Sequence, residues 1–176
     1  MINVDAHLDM RPVDGPSSGN PFHRMLQHGL PGEDLAAVGL LHERNAAAHV
    51  ASARERGVHL HFLEPGREAQ VIEEAVAALA RFHARGRRIL ASFDVDSIGA
   101  AWASGVSALN PWGISSDTAI QLARSFGRCP SVAVFDLMEF APAYDQDGRT
   151  GWLLAFLAAE FIQGLGERAP RPPSGS

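Results

Sequence analysis

The order in which helix-like stretches, glycines and β-prone runs follow one another is the strongest constraint on this chain. Gly57, Gly86 and Gly127 stand where helical spacing stops, and each leads within a few residues into a short β-prone run. Glycine adopts the left-handed backbone of a helix C-cap without steric penalty, so this punctuation reads as βαβ units. Five β-prone runs are present: Ile2 to His7, Ala37 to Leu41, Val58 to Leu63, Ile89 to Asp96 and Val132 to Met138. Helical spacing falls between and after them, at Asn45 to Arg56, Arg67 to Arg85, Asp117 to Phe126 and Trp152 to Leu165. It is clearest in the second of these, where Ile72, Ala75, Leu79 and Phe82 share one face. The alternation predicts an α/β fold, a mainly parallel sheet covered by helices on both faces and joined by right-handed crossovers. With 176 residues there is room for one domain and its core, expected over 1–165. The tail 166–176, GERAPRPPSGS, is rich in Pro, Gly and Ser and is expected to be disordered.

Charge and cysteine usage narrow the function classes. Fifteen Lys and Arg stand against 20 Asp and Glu, a net charge of -5, which offers no electrostatic footprint for nucleic acid or an anionic membrane. Cys129 is the single cysteine, so no intrachain disulfide forms. The longest apolar stretch, Trp152 to Ala159, is far shorter than a bilayer span. Asp5 and Asp9 interrupt the place where a secretory signal would need an apolar run, and the expected location is cytoplasmic.

In open α/β sheets ligands bind beyond the carboxyl ends of the strands, near the reversal of strand order. Three of the expected strands end in acids: Asp5-Ala6-His7-Leu8-Asp9, Asp94-Val95-Asp96 and Asp136-Leu137-Met138-Glu139. On extended backbone, side chains alternate with period two, so Asp5, His7 and Asp9 can project to one side of their strand, as can Asp94 and Asp96 of theirs. If both sets converge, four carboxylates and one imidazole share a small volume, and their formal charge of -4 matches two divalent cations. Ligation dominated by carboxylates with one imidazole suits Mn²⁺ better than a thiolate-seeking ion. Two such ions would lower the pKa of a shared water and favour hydrolysis. Either acidic motif alone could equally be a solvated loop or a helix cap. His59 and His61, alternating on an expected strand, read as packing or edge residues. Trp102 and Trp112 either line the pocket or lie over the core.

DAHLD, then SFDVD with the loop Gly105-Val106-Ser107-Ala108, then DLMEFAPAYDQDGRT, together resemble the ureohydrolase superfamily of arginases, agmatinases and formimidoylglutamases. INVDAHLDMRP with SSGNPFHRML is most similar to the formimidoylglutamases, which hydrolyse N-formimidoyl-L-glutamate to L-glutamate and formamide in histidine degradation. The resemblance implies a three-layer α/β/α fold with its five strands in the order 5-4-1-2-3. It implies Mn²⁺ bridged by Asp5 and Asp94, one site completed by His7 and Asp96 and the other served by Asp9. Glu139 would hold the amidine-like group and Asp9 would orient the nucleophile. Arg11, Ser18 and Asn20 would supply donors to the glutamate carboxylates, although a salt bridge is the equal alternative for Arg11. His23 stands one position beyond the family's histidine and is a weak proton-shuttle candidate.

The resemblance also carries departures. Family members have strands before DAHxD and a histidine there that completes one metal site, whereas this sequence begins on DAHLD, so it is expected to be a truncated form with impaired activity. Gly99 and Ala100 stand where the family has an acid and a proline. The strand Val132 to Met138 would become a free apolar edge, predicting self-association or a homo-oligomer. The alternative function is an inactive remnant or an associating subunit of the same fold. Agmatinase or arginase is the alternative within enzymes.

Overall fold

A computed structural model describes residues 1–168. Five parallel strands form one sheet in the order β3-β2-β1-β4-β5. They are β1 (Ile2–Val4), β2 (Ala36–Leu40), β3 (His59–Phe62), β4 (Ile89–Asp94) and β5 (Val132–Met138). The expected order, read from the other edge, is the one observed. The helices are α1 (Pro21–Gln27), α2 (Ala47–Glu55), α3 (Ala69–Ala84), α4 (Ser116–Arg128) and α5 (Arg149–Gly166). Of these, α1 has no counterpart in the sequence reading, because seven residues opened by a proline are too few to show a period.

Chain direction across the sheet explains the two helical layers. From β1 the chain moves outward through β2 to β3, then α3 carries it back past β1 to β4 and on to β5. Crossovers of one hand put helices on opposite faces when the direction of travel reverses, and the reversal lies between β1 and β4. On the first face α3, α4 and α5 bury Ile2, Val4, Val38, Ala91 and Phe93. The stripe Val71, Ala75, Ala78, Leu79 and Phe82 of α3 supplies much of that layer. On the second face α1 and α2 pack Phe22 and Ala53 against Leu35, Ala37, Leu40 and Val58. That second layer lies over β2, β3 and part of β1, while β4 and β5 present Leu90 and Met138 to a groove of about 410 Å³.

Two elements differ from expectation. Gly127 does not cap a helix; it lies within α4, where it meets Gly164 of α5. A methyl group on Gly127 would fall 2.2 Å from the Phe161 carbonyl oxygen, and one on Gly164 would fall 2.4 Å from that of Arg124. Both helices are rigid backbone at this crossing, so alanine there forces them apart. Gly164→Ala is expected to destabilise by about 2 kcal/mol despite alanine's better helix propensity, read as a lower urea midpoint at unchanged slope. The second difference concerns the start of the expected disordered tail. Gly166 ends α5, and Glu167 pairs with Arg124 and Arg128 while the Arg168 guanidinium donates to the carbonyls of Gly127 and Val132. Residues 169–176 lie outside the described residues.

Helix α5 packs Leu157 and Phe161 inward, with Phe161 stacked on Phe135 at 4.6 Å, yet leaves Trp152, Phe156 and Ile162 exposed. No helix among the described residues is long and apolar enough to cross a membrane.

Candidate metal centre

The acids assemble at the carboxyl ends of β1 and β4, on either side of the strand reversal. They converge through turns and not through the pleat. Asp5 still donates its N–H to Val38, but its Oδ1 accepts the backbone N–H of His7 at 2.7 Å, which ends β1 at Val4 and bends the chain. In the same way Asp94 Oδ1 accepts the Asp96 N–H at 2.9 Å and folds Val95–Ser97 into a single 3-10 turn. A carboxylate two residues before the amide it captures is an Asx turn, and its use at both strand ends brings the second acid or imidazole back toward the first.

Asp5, His7 and Asp96 therefore meet, each offering a ligand atom within 4.8 Å of the others. His7 Nδ1 lies 3.1 Å from Asp96 Oδ2 and 3.5 Å from Asp5 Oδ1. Asp5 Oδ2 is held by Asn3 Nδ2 at 3.0 Å. Asp96 Oδ1 is buried and finds no hydrogen-bond donor among the described residues. Asp94 lies outside this triplet but beside it, and shares with His7, Asp9, Asp96 and Glu139 the wall of a cleft of about 110 Å³.

Packing so many acids without counter-charge makes them hold protons. Burial, then the charges of Asp5 and Asp96, pushes Asp94 up to about 9. Burial and Asp5 raise Asp9 to about 7. Burial raises Asp5, and His7, hydrogen-bonded to Asp5 and Asp96, is pushed up to about 10.

Two further acids reach the cleft in the left-handed region. Asp9 has φ 49° and Glu139 has φ 62°, and both line the wall. Asp9 therefore arrives by a reversal of the backbone, not by the period-two alternation expected. Arg11 and Ser18 also line the cleft. Gly19 makes room for Arg11, since a methyl there would sit 2.8 Å from Arg11 Cδ. The salt bridge considered for Arg11 is absent among the described residues.

Asn20 behaves differently from the expected substrate donor. It is fully buried; its Oδ1 accepts from Ser17 N–H, and its Nδ2 donates to the Val13 and Gly15 carbonyls at 3.1 and 2.9 Å. Its amide is consumed in closing the loop that carries Ser18. His23 lies on α1 and reaches neither the cleft nor the groove. His59 and His61 stay on edge strand β3, away from the acids, with His61 3.8 Å from Glu74. Trp112 packs on the core, and Trp102 is exposed.

The supports that hold the acidic turns were not found by sequence reasoning. Asn45 accepts from Leu8 N–H and donates to the carbonyls of Ala6 and Leu41, fixing the Asp5–Asp9 turn from a loop 37 to 39 residues away. Asn110 Nδ2 donates to the Asp96 carbonyl. Thr150 Oγ1 accepts the Gly105 N–H at 2.8 Å, tying the loop that brings Ser107 and Ala108 to the cleft onto α5. Nothing in local spacing marks these residues.

The arginase-family model matches residues 1–163. The chain belongs to the arginase family. Formimidoylglutamase of Geobacillus thermodenitrificans is 34% identical over 172 residues, covering 97% of this chain and 53% of the relative. The crystal structure of the Bacillus subtilis formimidoylglutamase superposes with a TM-score of 0.89 at 26% identity, over 97% of this chain and 54% of that one. Trypanosoma cruzi formiminoglutamase, solved with Mn²⁺, gives 0.83 at 28% identity, over 96% and 57%. This arginase-family chain thus spans about half the length of the curated relatives it matches. Its acidic turns are the motifs on which the resemblance was drawn.

Proposed function

We propose that the chain carries the metal-binding and amidine-binding elements of a Mn²⁺-dependent hydrolase acting on N-formimidoyl-L-glutamate. The observation that carries this reading is the meeting of Asp5, His7 and Asp96 around a buried Asp96 Oδ1 that lacks a donor. An unsatisfied buried carboxylate oxygen costs free energy unless a cation reaches it, and the proton-holding acids around it mark the same deficit of positive charge. The donor set, carboxylates with one imidazole, suits Mn²⁺, the ion present in the T. cruzi relative. Asp5, His7, Asp94 and Asp96 would hold one ion, and Asp9 with Asp5 and Asp94 would contribute to a second.

When bound, the metal supplies Lewis acidity and lowers the pKa of water at the site. The remaining work falls to the chain's own residues. Glu139, exposed on the cleft wall, accepts the N–H groups of a cationic formimidoyl group, because an ionised carboxylate is acceptor-only. Asp9, at about 7 in the metal-free chain, is suited to hold or pass a proton near neutral pH. Arg11 and Ser18, on the same wall, offer a two-pronged cation and a hydroxyl to the glutamate carboxylates.

The test loads the chain with Mn²⁺ and measures metal stoichiometry and formamide release from formimidoylglutamate. Two tightly held ions with formamide release support the reading. Urea from arginine or agmatine in place of formamide would assign the chain to the other branches of the family. Because the chain spans half of its relatives, a second reading has support: one ion held weakly and no turnover, the behaviour of an inactive or associating subunit. The free β5 edge adds an expectation about the isolated chain. It should self-associate weakly as concentration rises from about 1 µM toward hundreds of µM. Sedimentation equilibrium showing a monomer throughout would contradict it.

A further inference from the structure

Strand β3 and helix α3 face each other across a gap that the metal centre does not use. His59 and His61 lie two residues apart on β3, and strand register sets them beside Ala36 and Val38 of β2, on the face of the sheet that α3 covers. Glu74, Ala78 and Arg81 recur at helical spacing on α3, which runs back along β3 in the opposite direction. His61 therefore meets Glu74, and His59 meets Arg81. The His61 Nδ1 lies 3.8 Å from Glu74 Oε1, while burial and then the Arg81 charge push His59 below its ordinary value. Between these pairs Ala36 and Ala78 carry only a methyl group each. They leave open a cavity of about 130 Å³ lined by both histidines, Glu74 and Arg81. One water needs only roughly 15 Å³, so a carboxylate or phosphate group fits.

Two nitrogens at this cavity lack partners. His61 Nε2 and Arg81 Nε are buried and make no hydrogen bond among the described residues, and Arg81 enters no salt bridge among them. Buried donors without acceptors cost free energy. A negatively charged acceptor removes that cost at both, since a guanidinium only donates and a protonated imidazole whose Nδ1 faces a carboxylate donates from Nε2. A metal ion fits less well. Among the described residues only Asp5, His7 and Asp96 bring three ligand atoms within 4.8 Å of one another, and the Arg81 charge beside the rings repels a cation. We infer that this cavity is a second, non-catalytic site that holds one compact oxyanion, a carboxylate or phosphate group, between Arg81 and His61. The net charge of -5 opposes an anion's approach, so the site acts by contact and its affinity is weak, with a Kd of about 1 mM.

The probes are inorganic phosphate and acetate, added separately to the metal-free chain while the side-chain NMR signals of His59 and His61 are followed. The expected result is a saturable shift of both rings, and the tighter of the two probes tells whether the site prefers a tetrahedral or a planar anion. Arg81→Gln should weaken binding at least about tenfold, the loss of one charge-assisted hydrogen bond. His61→Phe keeps the bulk of the ring and should weaken the response of His59 in the same way. Both substituted residues are half-buried, and Arg81→Gln alone decides the matter if His61→Phe does not fold. Arg11→Gln should leave the shifts unchanged, which separates this site from anions entering the acidic cleft. No saturable shift up to about 50 mM of either probe, or equal affinity in the Arg81→Gln chain, overturns the inference. So does saturation of both rings by Zn²⁺ that survives Arg81→Gln. The readout needs no Mn²⁺, so its outcome is independent of the proposed hydrolase chemistry.

Discussion

The Asp96→Asn chain is expected to keep its fold and to bind Mn²⁺ at least about a hundredfold more weakly. Asparagine has the shape of aspartate, and the contacts that hold this turn survive the exchange: the Asp96 N–H still reaches Asp94 Oδ1 and the Asp96 carbonyl still accepts from Asn110. What is lost is a charged ligand at a place where a buried carboxylate oxygen lacks a hydrogen-bond donor among the described residues. Titration calorimetry with Mn²⁺, alongside far-UV circular dichroism of the metal-free protein, separates ligand loss from unfolding. Unchanged affinity in a well-folded D96N chain would remove Asp96 from the centre and with it the proposed site. Asn20→Ala offers a contrast. Its amide closes the Val13–Ser17 loop, so the expected effect is on stability and not directly on metal affinity.

The second large effect is on pH. Asp94 holds its proton to about 9 and Asp9 to about 7, against an ordinary value of 3.8, and His7 holds its proton to about 10 against 6.5. In the window from about pH 4 to 9 the folded chain therefore binds more protons than the unfolded chain, and stability falls as pH rises. Each extra proton held gives a slope of about 1.4 kcal/mol per pH unit. The sign is the same for both kinds of group. The raised carboxyls penalise folding above their unfolded pKa, and the His7 contribution, present below 6.5, is lost as pH rises toward 10. The metal-free chain should thus have a lower Tm at pH 8.5 than at pH 5.5. Mn²⁺ should reverse the trend, because the ion replaces those protons. At pH 7, binding should release roughly two protons, chiefly from Asp94 and His7, seen as a calorimetric enthalpy that varies with the ionisation heat of the buffer. Binding without proton release would mean that these groups are not the ligands.

Most of the fold was legible because it rests on local pattern. The runs around β2, β3, β4 and β5 and the stripe of α3 were visible as period and punctuation, and the resemblance supplied the strand order. The site was legible in composition but not in geometry. Period-two reasoning placed Asp5, His7 and Asp9 on one side of a strand, whereas the chain leaves the sheet at Val4 and turns on its own aspartate side chain. Such turns arise from competition between a side chain and the ladder, which spacing does not encode. Asn45 and Asn110 could not be found either, since each acts across a fold-level distance on a backbone group that any residue would carry. The open half of the second face was equally hidden. It depends on how far α1 and α2 reach across the sheet, and the loop closure made by the Asn20 amide leaves no periodic mark.

Asp9 and Glu139 occupy backbone that favours glycine, at φ 49° and 62°. An L-residue there costs about 1 kcal/mol more than glycine would, so the fold tolerates two acids of its cleft at strained positions. Robustness and reactivity pull in opposite directions at these points. Selection of this chain for heat resistance alone should erase one of the two acids early, leaving a sturdier scaffold that has forgotten its chemistry.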